Sequence, residues 1–216
     1  MMNLNFPLLD QPVKIKNGTF FIIEDVTVFA NVIAWFYRYE GEGKLKLFND
    51  QYQKLKATEI MIVTDILGFD VNSSAMLKLI YADLEQQLNV KIEVKTKIEQ
   101  LTTTLSELID YELLDHDLDL VHDEMTILEL FKVLGIKIET KKVTIFEKML
   151  EILQVYKYLS KKKLLIFINS CAYLTAEEIE ELQNYISLCN MDVLFLEPRK
   201  IQGIAQTILD RDYFLT

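Results

Sequence analysis

The chain alternates between short continuous apolar runs and longer segments in which apolar residues recur with the period of a helix. Four of the runs are about five residues long and rich in Ile, Val and Phe, which is typical of strands covered on both faces of a parallel sheet. They lie at residues 19–24, 60–64, 164–168 and 193–196. Residues 26–40 and 175–189 are predicted to form crossover helices. The pattern therefore predicts an α/β protein.

The middle of the chain follows the helical period instead. One stripe of apolar residues steps by four and three positions and predicts a long helix; its members are Val94, Ile98, Leu101, Leu105 and Leu108. A second stripe repeats the pattern at Ile145, Met149, Ile152, Tyr156 and Leu159. We expect these two helices to pack antiparallel as an arm inserted between the second and third strands.

These patterns divide the chain into a predicted α/β head, residues 1–65 with 160–216, and a predicted α-helical leg, residues 66–159. Three capping boxes mark helix starts, because a Thr followed by Glu three positions later can satisfy two free amide donors. The pairs are Thr126 with Glu129, Thr144 with Glu147, and Thr175 with Glu178.

Composition limits the range of partners and compartments. The chain has 216 residues, a net charge of −10 and two cysteines, Cys171 and Cys189. It has neither an amino-terminal signal pattern nor an apolar run of the roughly 20 residues needed to span a membrane. We therefore expect a soluble, cytoplasmic protein with reduced thiols.

The basic residues favour lysine over arginine. Only Arg38, Arg199 and Arg211 are arginines. Lysine acts as a point charge and lacks the planar fork that recognises guanine, so any binding to DNA is expected to involve the backbone and to be independent of sequence.

The first strand-to-helix turn is where a nucleotide-binding α/β protein would carry its phosphate loop. Here the turn reads EDVTVFA, residues 24–30, with two acids and neither glycine nor lysine. The backbone amides and positive charge of a Walker A loop are therefore absent. Asp65 follows the second strand, where a magnesium-binding acid could lie.

Acidic residues concentrate in the segment DHDLDLVHDEMTILE, residues 115–129. Asp115, Asp117 and Asp119 imitate the start of an EF-hand, but Leu120 replaces the required glycine and Thr126 the required glutamate. If residues 117–123 are extended, Asp117, Asp119 and Asp123 point to one side and Glu124 opens the next helix. The residues alone leave two explanations open: calcium binding, or acids that stabilise a helix amino terminus without any metal.

Several long strings resemble one family. They are EIMIVTDILGFDVNSS (59–74), TILEL (126–130), TIFEKMLEIL (144–153), KYLSKKKLLIFINS (157–170) and VLFLEPR (193–199). Together they resemble the Csn2 family of CRISPR-associated spacer-acquisition proteins of type II-A systems. The resemblance extends over nearly the whole chain.

The resemblance implies a mostly parallel head similar to phosphate-loop ATPases without a functional Walker A loop, carrying an inserted helical leg. It also implies a homotetrameric ring that binds double-stranded DNA at free ends, and a non-enzymatic antiviral role beside the CRISPR integrase complex and the RNA-guided nuclease. Calcium (Ca²⁺) is the implied cofactor. The residues implied as its ligands are Asp117, Asp119, Asp123, Glu124 and Glu129, and those implied for DNA are Lys132, Lys137, Lys141 and Lys142.

Two alternatives of other classes stay open from the residues. A cation-dependent ATPase or nuclease would use Asp65 together with acids of the 115–129 segment. A structural oligomerisation protein would use these acids only to cap helices.

Overall fold

A computed structural model describes residues 1–140, 144–159 and 161–216. It divides into two compact units, a sheet unit of Met1–Phe69 with Lys141–Thr216 and a helical unit of Asp70–Thr140. The predicted leg extended to residue 159. Helix α5 (Ile145–Tyr158) groups with the sheet unit instead, because Met149, Ile152 and Leu153 on its apolar stripe are fully buried there.

The sheet unit is built on a five-stranded parallel sheet, in the order β5-β6-β7-β3-β8. The strands are β3 (Thr19–Ile23), β5 (Ile60–Val63), β6 (Leu164–Ile168), β7 (Val193–Glu197) and β8 (Thr207–Leu209). The four predicted apolar runs form β3, β5, β6 and β7, so the α/β prediction is confirmed. Every residue of β6 and β7 is buried, as expected for strands covered on both faces.

Three further strands form a small antiparallel sheet in the order β2-β1-β4. They are β1 (Met2–Asn5), β2 (Val13–Ile15) and β4 (Lys46–Asn49). Leu4, Ile15 and Leu47 from this sheet join the buried cluster that also contains Phe21 and Leu196 of the parallel sheet. The apolar pattern did not predict these strands.

Aromatic stacking holds the centre of the parallel sheet. Phe195 stacks on Phe20 with ring centroids 4.6 Å apart and on Phe167 with centroids 5.5 Å apart. All three rings are fully buried and lie on the adjacent strands β3, β7 and β6. Offset aromatic contacts of this kind stabilise a core beyond the area they bury.

Two of the helices of the sheet unit begin at the predicted capping boxes, and the third begins at an aspartate. The amide of Glu147 donates to Thr144 Oγ1 in α5, and the amide of Glu178 donates to Thr175 Oγ1 in α6 (Ala176–Leu188). Helix α1 (Val26–Tyr37) begins at Asp25, whose Oδ1 accepts from the amide of Val28 at 2.8 Å.

The helical unit contains α2 (Ser74–Val90), α3 (Ile92–Leu113) and α4 (Ile127–Val133). Helix α2 contacts both α3 and α4. Helix α3 contacts α2 within the helical unit and α5 contacts α6 within the sheet unit, so the two long helices that were predicted to form one arm belong to different units. Within the described ranges, no helix is both long and apolar enough to cross a bilayer.

Candidate functional site

The acidic segment lies in the helical unit, between the end of α3 at Leu113 and the start of α4 at Ile127. Residues 119–126 have no regular secondary structure, and bends occupy residues 116–118. All five implied calcium ligands are exposed: Asp117, Asp119, Asp123, Glu124 and Glu129. The expected regular alternation over residues 117–123 is interrupted by the bends.

Glu129 acts as a helix cap. Its Oε2 accepts from the amide of Thr126 at 2.8 Å and from Thr126 Oγ1 at 2.6 Å, and the amide of Glu129 donates back to Thr126 Oγ1 at 3.2 Å. These hydrogen bonds from Thr126 hold the pKa of Glu129 below its usual value. The predicted capping box is thus confirmed, and it accounts for one of the five acids without a metal.

His122 ties the acidic segment to α3. Its Nε2 lies 2.8 Å from Asp110 Oδ1, and its Nδ1 lies 2.9 Å from the carbonyl oxygen of Asp123. The carbonyl of Asp123, and then the charge of Asp110, raise the pKa of His122, because both ring nitrogens can donate only in the imidazolium form. Sequence reasoning missed Asp110, whose proximity to His122 arises only when the segment folds back.

Two adjoining clefts collect the acids of this region. One, of about 610 Å³, is lined by Glu85, Glu99, Glu107 and Asp110 together with Glu124. The other, of about 580 Å³, is lined by Asp119, His116 and the same Glu107 and Asp110. Lys95 also lines the first cleft, where it pairs with Glu99 at 3.6 Å. Residues 99–129 contain no lysine or arginine, so the carboxylates outnumber the cations here and give the region a net negative charge.

These oxygens do not form an assembled calcium site. Calcium takes six to eight oxygen ligands at about 2.3–2.6 Å. Within residues 1–140, 144–159 and 161–216, no three Asp, Glu, His or Cys side chains are close enough together to hold a metal ion. Of the five implied ligands, Glu124 lines the first cleft and Asp119 lines the second, so they do not form a calcium site in the described arrangement.

The implied DNA-binding lysines lie at the end of α4 and in the loop that follows it. Lys132 is in the last turn of α4, where its charge is favourable to the helix dipole. Lys137 lies in the loop, and both side chains are exposed. Neither forms a salt bridge with another described residue. Lys141 and Lys142 lie outside the described residues.

The loop that carries Lys137 is fixed on both sides. Helix α4 ends in a Schellman motif, in which Ile136 N donates to Phe131 O and Gly135 adopts a positive φ of 63°. Tyr81 Oη donates to Ile136 O at 2.7 Å. Asn72 then bonds both backbone groups of Ile138, accepting from its amide at 2.8 Å and donating to its carbonyl at 2.9 Å.

The start of α1 carries a carboxylate where a nucleotide-binding α/β protein would bind phosphate. Asp25 Oδ1 accepts a hydrogen bond from the amide of Val28 at this helix end. Asp65, the acid of the alternative enzymatic hypothesis, accepts from the amide of Gly68 at 2.9 Å and so closes a turn after β5.

The fold and these sites define an α/β protein with an inserted helical unit and no phosphate loop after its first parallel strand. The family model for CRISPR-associated protein (Cas_Csn2) matches residues 38–213. The chain therefore belongs to the Csn2 family of CRISPR-associated proteins, as the sequence strings predicted.

Named relatives support this membership. The chain is 58% identical to the CRISPR-associated protein Csn2 of Enterococcus faecalis, covering 100% of this chain and 98% of the relative. It is 55% identical to that of Streptococcus agalactiae, covering 100% and 97%. A crystal structure of Stu0660 of Streptococcus thermophilus matches with a TM-score of 0.56 at 12% identity, covering 96% of this chain and 73% of that one, which shows a shared fold.

Proposed function

We propose that this protein binds double-stranded DNA, independently of sequence and at free ends, as a homotetrameric ring acting in spacer acquisition. The role is a non-enzymatic one beside the integrase complex and the RNA-guided nuclease of the CRISPR system. Membership of the CRISPR-associated Csn2 family supports the biological context. The fixed loop around Lys137 is the observation that carries the DNA-binding part.

A lysine on a fixed loop is suited to contacting phosphate. Asn72 and Tyr81 hold the backbone on either side of Lys137, so little further ordering of the loop is needed when DNA binds. Lys132 lies five residues earlier, on the last turn of α4. Ammonium groups that contact phosphates release counterions and carry no base preference, as expected for a binder of DNA ends of any sequence.

Self-association is supported by the exposed stripe of α3. None of the residues of this helix is buried, although the helix is 22 residues long. Val94, Leu101, Leu105 and Leu108 are 48–63% exposed and keep the heptad-like spacing of a coiled-coil seam. A second copy of the chain offers an identical stripe, so homo-oligomerisation would bury both.

Calcium dependence is proposed from charge. The uninterrupted acidity of residues 99–129 opposes both DNA and a second acidic protomer, and a divalent cation would reduce that repulsion. The exposed acids implied as ligands that do not cap a helix are Asp117, Asp119, Asp123 and Glu124. Because the described arrangement holds no assembled site, we assign no coordination geometry to the ion.

The test of DNA binding uses fluorescence anisotropy with linear blunt duplexes of several sequences and a closed circular competitor. Replacing Lys132 and Lys137 by Gln is expected to weaken binding equally for all sequences and to reduce the slope of log affinity against log salt by about one per lysine. Lys91 and Lys97, exposed lysines of α3 and its amino-terminal cap, provide a control with the same loss of charge. Equal effects of the two double variants would contradict the role of the loop.

The test of calcium dependence is a calcium titration followed by sedimentation velocity, with and without linear duplex. We expect calcium to shift the protein towards a tetramer, and the double variant Asp119→Asn, Glu124→Asn to weaken that shift. Asp10→Asn removes an exposed carboxylate of the sheet unit, outside the acidic segment, and is the control. Assembly and DNA binding that are unchanged by calcium would overturn this part of the proposal.

A further inference from the structure

The small antiparallel sheet has an outward surface that takes no part in the DNA contacts described above. Leu4, Ile15 and Leu47, one from each strand, are fully buried in the core. Successive side chains of a strand point to opposite faces, so the residues that alternate with these apolar ones point away from the core. We call this surface the lysine face; its residues are Asn3, Asn5, Lys14, Lys46, Phe48, Lys54 and Lys56.

The register of the strands brings four lysines together on this face. Lys14 of β2 lies opposite Asn3 of β1, and Asn3 lies opposite Phe48 of β4. Phe48 in turn pairs with Lys54 on the segment that returns from β4. The next outward positions on β4 and on the returning segment are Lys46 and Lys56.

These lysines have no carboxylate partner in the described part of the chain. All four are exposed, and none forms a salt bridge there. Two acids lie nearby. Asp50 Oδ1 accepts from Asn3 Nδ2 at 3.5 Å, and Glu59, which accepts from the amide of Lys56, is paired with Lys163 at 2.5 Å. In a chain of net charge −10, the lysine face is therefore a local surplus of positive charge.

The hairpin that carries three of the four lysines is held firmly. Asn49 Oδ1 accepts from the amide of Gln53 at 3.0 Å, and the ring of Tyr52 stacks on Phe48 with centroids 5.8 Å apart. On the buried side, Tyr39 Oη donates to a carbonyl on each arm of the hairpin, at 3.3 Å and 3.0 Å. A scaffold fixed in this way needs little further ordering when a ligand binds.

The spacing of the lysines matches two parallel lines of negative charge. Neighbouring strands lie about 4.8 Å apart, so Lys14 and Lys54, three strand spacings apart, are separated by roughly 14 Å at the backbone. The major groove of B-DNA, with a phosphate backbone on each side, is about 12 Å wide. Asn3 and Asn5 form an uncharged strip between Lys14 and the other three lysines. The positive charges thus lie on both sides of a neutral strip, as phosphates lie on both sides of a groove.

The type of cation favours nucleic acid over an acidic protein. The seven residues of the lysine face include no arginine. Protein–protein interfaces are enriched in arginine and depleted in lysine. Lysines instead suit phosphates, which they contact as point charges with release of counterions and without base preference.

We propose that the lysine face is a second contact surface for the backbone of duplex DNA, with Lys14 reaching one strand and Lys46, Lys54 and Lys56 the other. It rests on the proposed function in taking duplex DNA as the ligand. It differs in place, because the lysine face belongs to the sheet unit and Lys137 belongs to the helical unit. Each protomer therefore neutralises phosphates with two separate sets of lysines.

The salt dependence of binding to a linear duplex, followed by fluorescence anisotropy with the full chain, tests the proposal. Lys14→Gln with Lys54→Gln removes one charge from each side of the face. It should reduce the slope of log affinity against log salt by about 1.8, which is about 0.9 for each phosphate contact. Lys157→Gln with Lys161→Gln removes two exposed lysines elsewhere in the sheet unit and is the matched control. Equal slopes for the two double variants would overturn the proposal.

A combination of variants separates this proposal from the one for the loop around Lys137. Adding Lys132→Gln and Lys137→Gln to the lysine-face variant should reduce the slope by about a further 1.8, because the two sets contact different phosphates. If only the lysine-face variant changes the slope, the loop assignment fails and this one stands. If only the loop variant changes it, the lysine face is refuted. Thermal melting checks that each variant is folded.

Competition in the Lys132→Gln, Lys137→Gln background tests the class of ligand. Unlabelled duplex should displace labelled duplex at least about threefold more effectively than poly-L-glutamate or a single DNA strand at the same concentration of charge. Equal displacement by poly-L-glutamate would assign the face to an acidic protein. Equal displacement by the single strand would show that two paired backbones are not needed. Either result would refute the assignment to duplex DNA.

Discussion

The sheet unit and the helical unit use their apolar residues in opposite ways. Strands β6 and β7 are buried at every position, and three stacked phenylalanines lie at the centre of their sheet. Helix α3 has an apolar stripe of equal regularity, yet none of its residues is buried. The apolar residues therefore form a folded core in one unit and an exposed surface in the other.

The largest expected effect comes from the aromatic stack. Phe195→Ala removes a fully buried ring that contacts Phe20 and Phe167, so the free energy of unfolding should fall by about 3–5 kcal/mol. In the dissociated protomer, Leu101→Ala on α3, where the side chain is 63% exposed, should change it by less than about 0.5 kcal/mol. Urea denaturation measures both. Similar losses in the two variants would break the contrast between the units.

The second effect concerns assembly. Leu101→Lys with Leu108→Lys places charges on the exposed stripe of α3 and should abolish self-association while leaving the melting temperature nearly unchanged. Tyr111 lies on the same helix outside the stripe and is 73% exposed, so Tyr111→Lys serves as control. Sedimentation velocity reports the oligomeric state. A tetramer that survives the double substitution would show that α3 is not the seam.

A smaller effect compares two capping boxes of the same type. Thr175→Ala in the sheet unit and Thr126→Ala in the helical unit each remove a hydroxyl oxygen that accepts a hydrogen bond from a helix amide, worth about 1 kcal/mol. For Thr175→Ala, we expect this loss to appear in the free energy of global unfolding. The loss at Thr126 should appear as faster hydrogen exchange confined to α4, together with a rise in the pKa of Glu129, since Thr126 is what lowers it. A uniform change in exchange across both units would contradict this difference.

The smallest effect is the pH dependence of the His122 contact. The pKa of His122 is raised in the folded chain, so its contribution to stability is complete below its unfolded pKa and is lost as pH rises through the folded value. Asp110→Asn should lower the pKa of His122, as followed by proton NMR of the ring. Asp115→Asn, a nearby charge without contact to the ring, is the control. Equal shifts in the two variants would mean that general charge, and not the contact, sets the pKa.

Much of the parallel sheet could be predicted from the sequence because its strands are continuous apolar runs. Strands β1, β2 and β4 could not, because they are three or four residues long and β1 pairs with β4 across 40 intervening residues. The stripe of α5 predicted a helix correctly. It contained no information on the partner, and the helix joined the sheet unit instead of α3.

The candidate sites divide in the same way. The capping boxes follow from residues three positions apart and were predictable, including the role of Glu129. The contact between His122 and Asp110 depends on how an irregular segment folds back, which no local pattern encodes. The hydrogen bonds from the amides of Ser170 and Cys171 to Glu197 join residues 27 and 26 positions apart through the parallel pairing of β6 with β7, and no local pattern encodes them.

The bonds between Asn72 and Ile138 join residues 66 positions apart, near both ends of the helical unit. The side-chain amide of Asn72 supplies the donor and the acceptor that a neighbouring strand would supply. The segments by which the chain enters and leaves the helical unit are therefore joined by two hydrogen bonds. The closure entropy of such a loop grows only slowly with its length. Insertions within the 115–126 segment should therefore leave the bonds between Asn72 and Ile138 intact. The hydrogen-exchange rate of the Ile138 amide reports directly whether these bonds have broken.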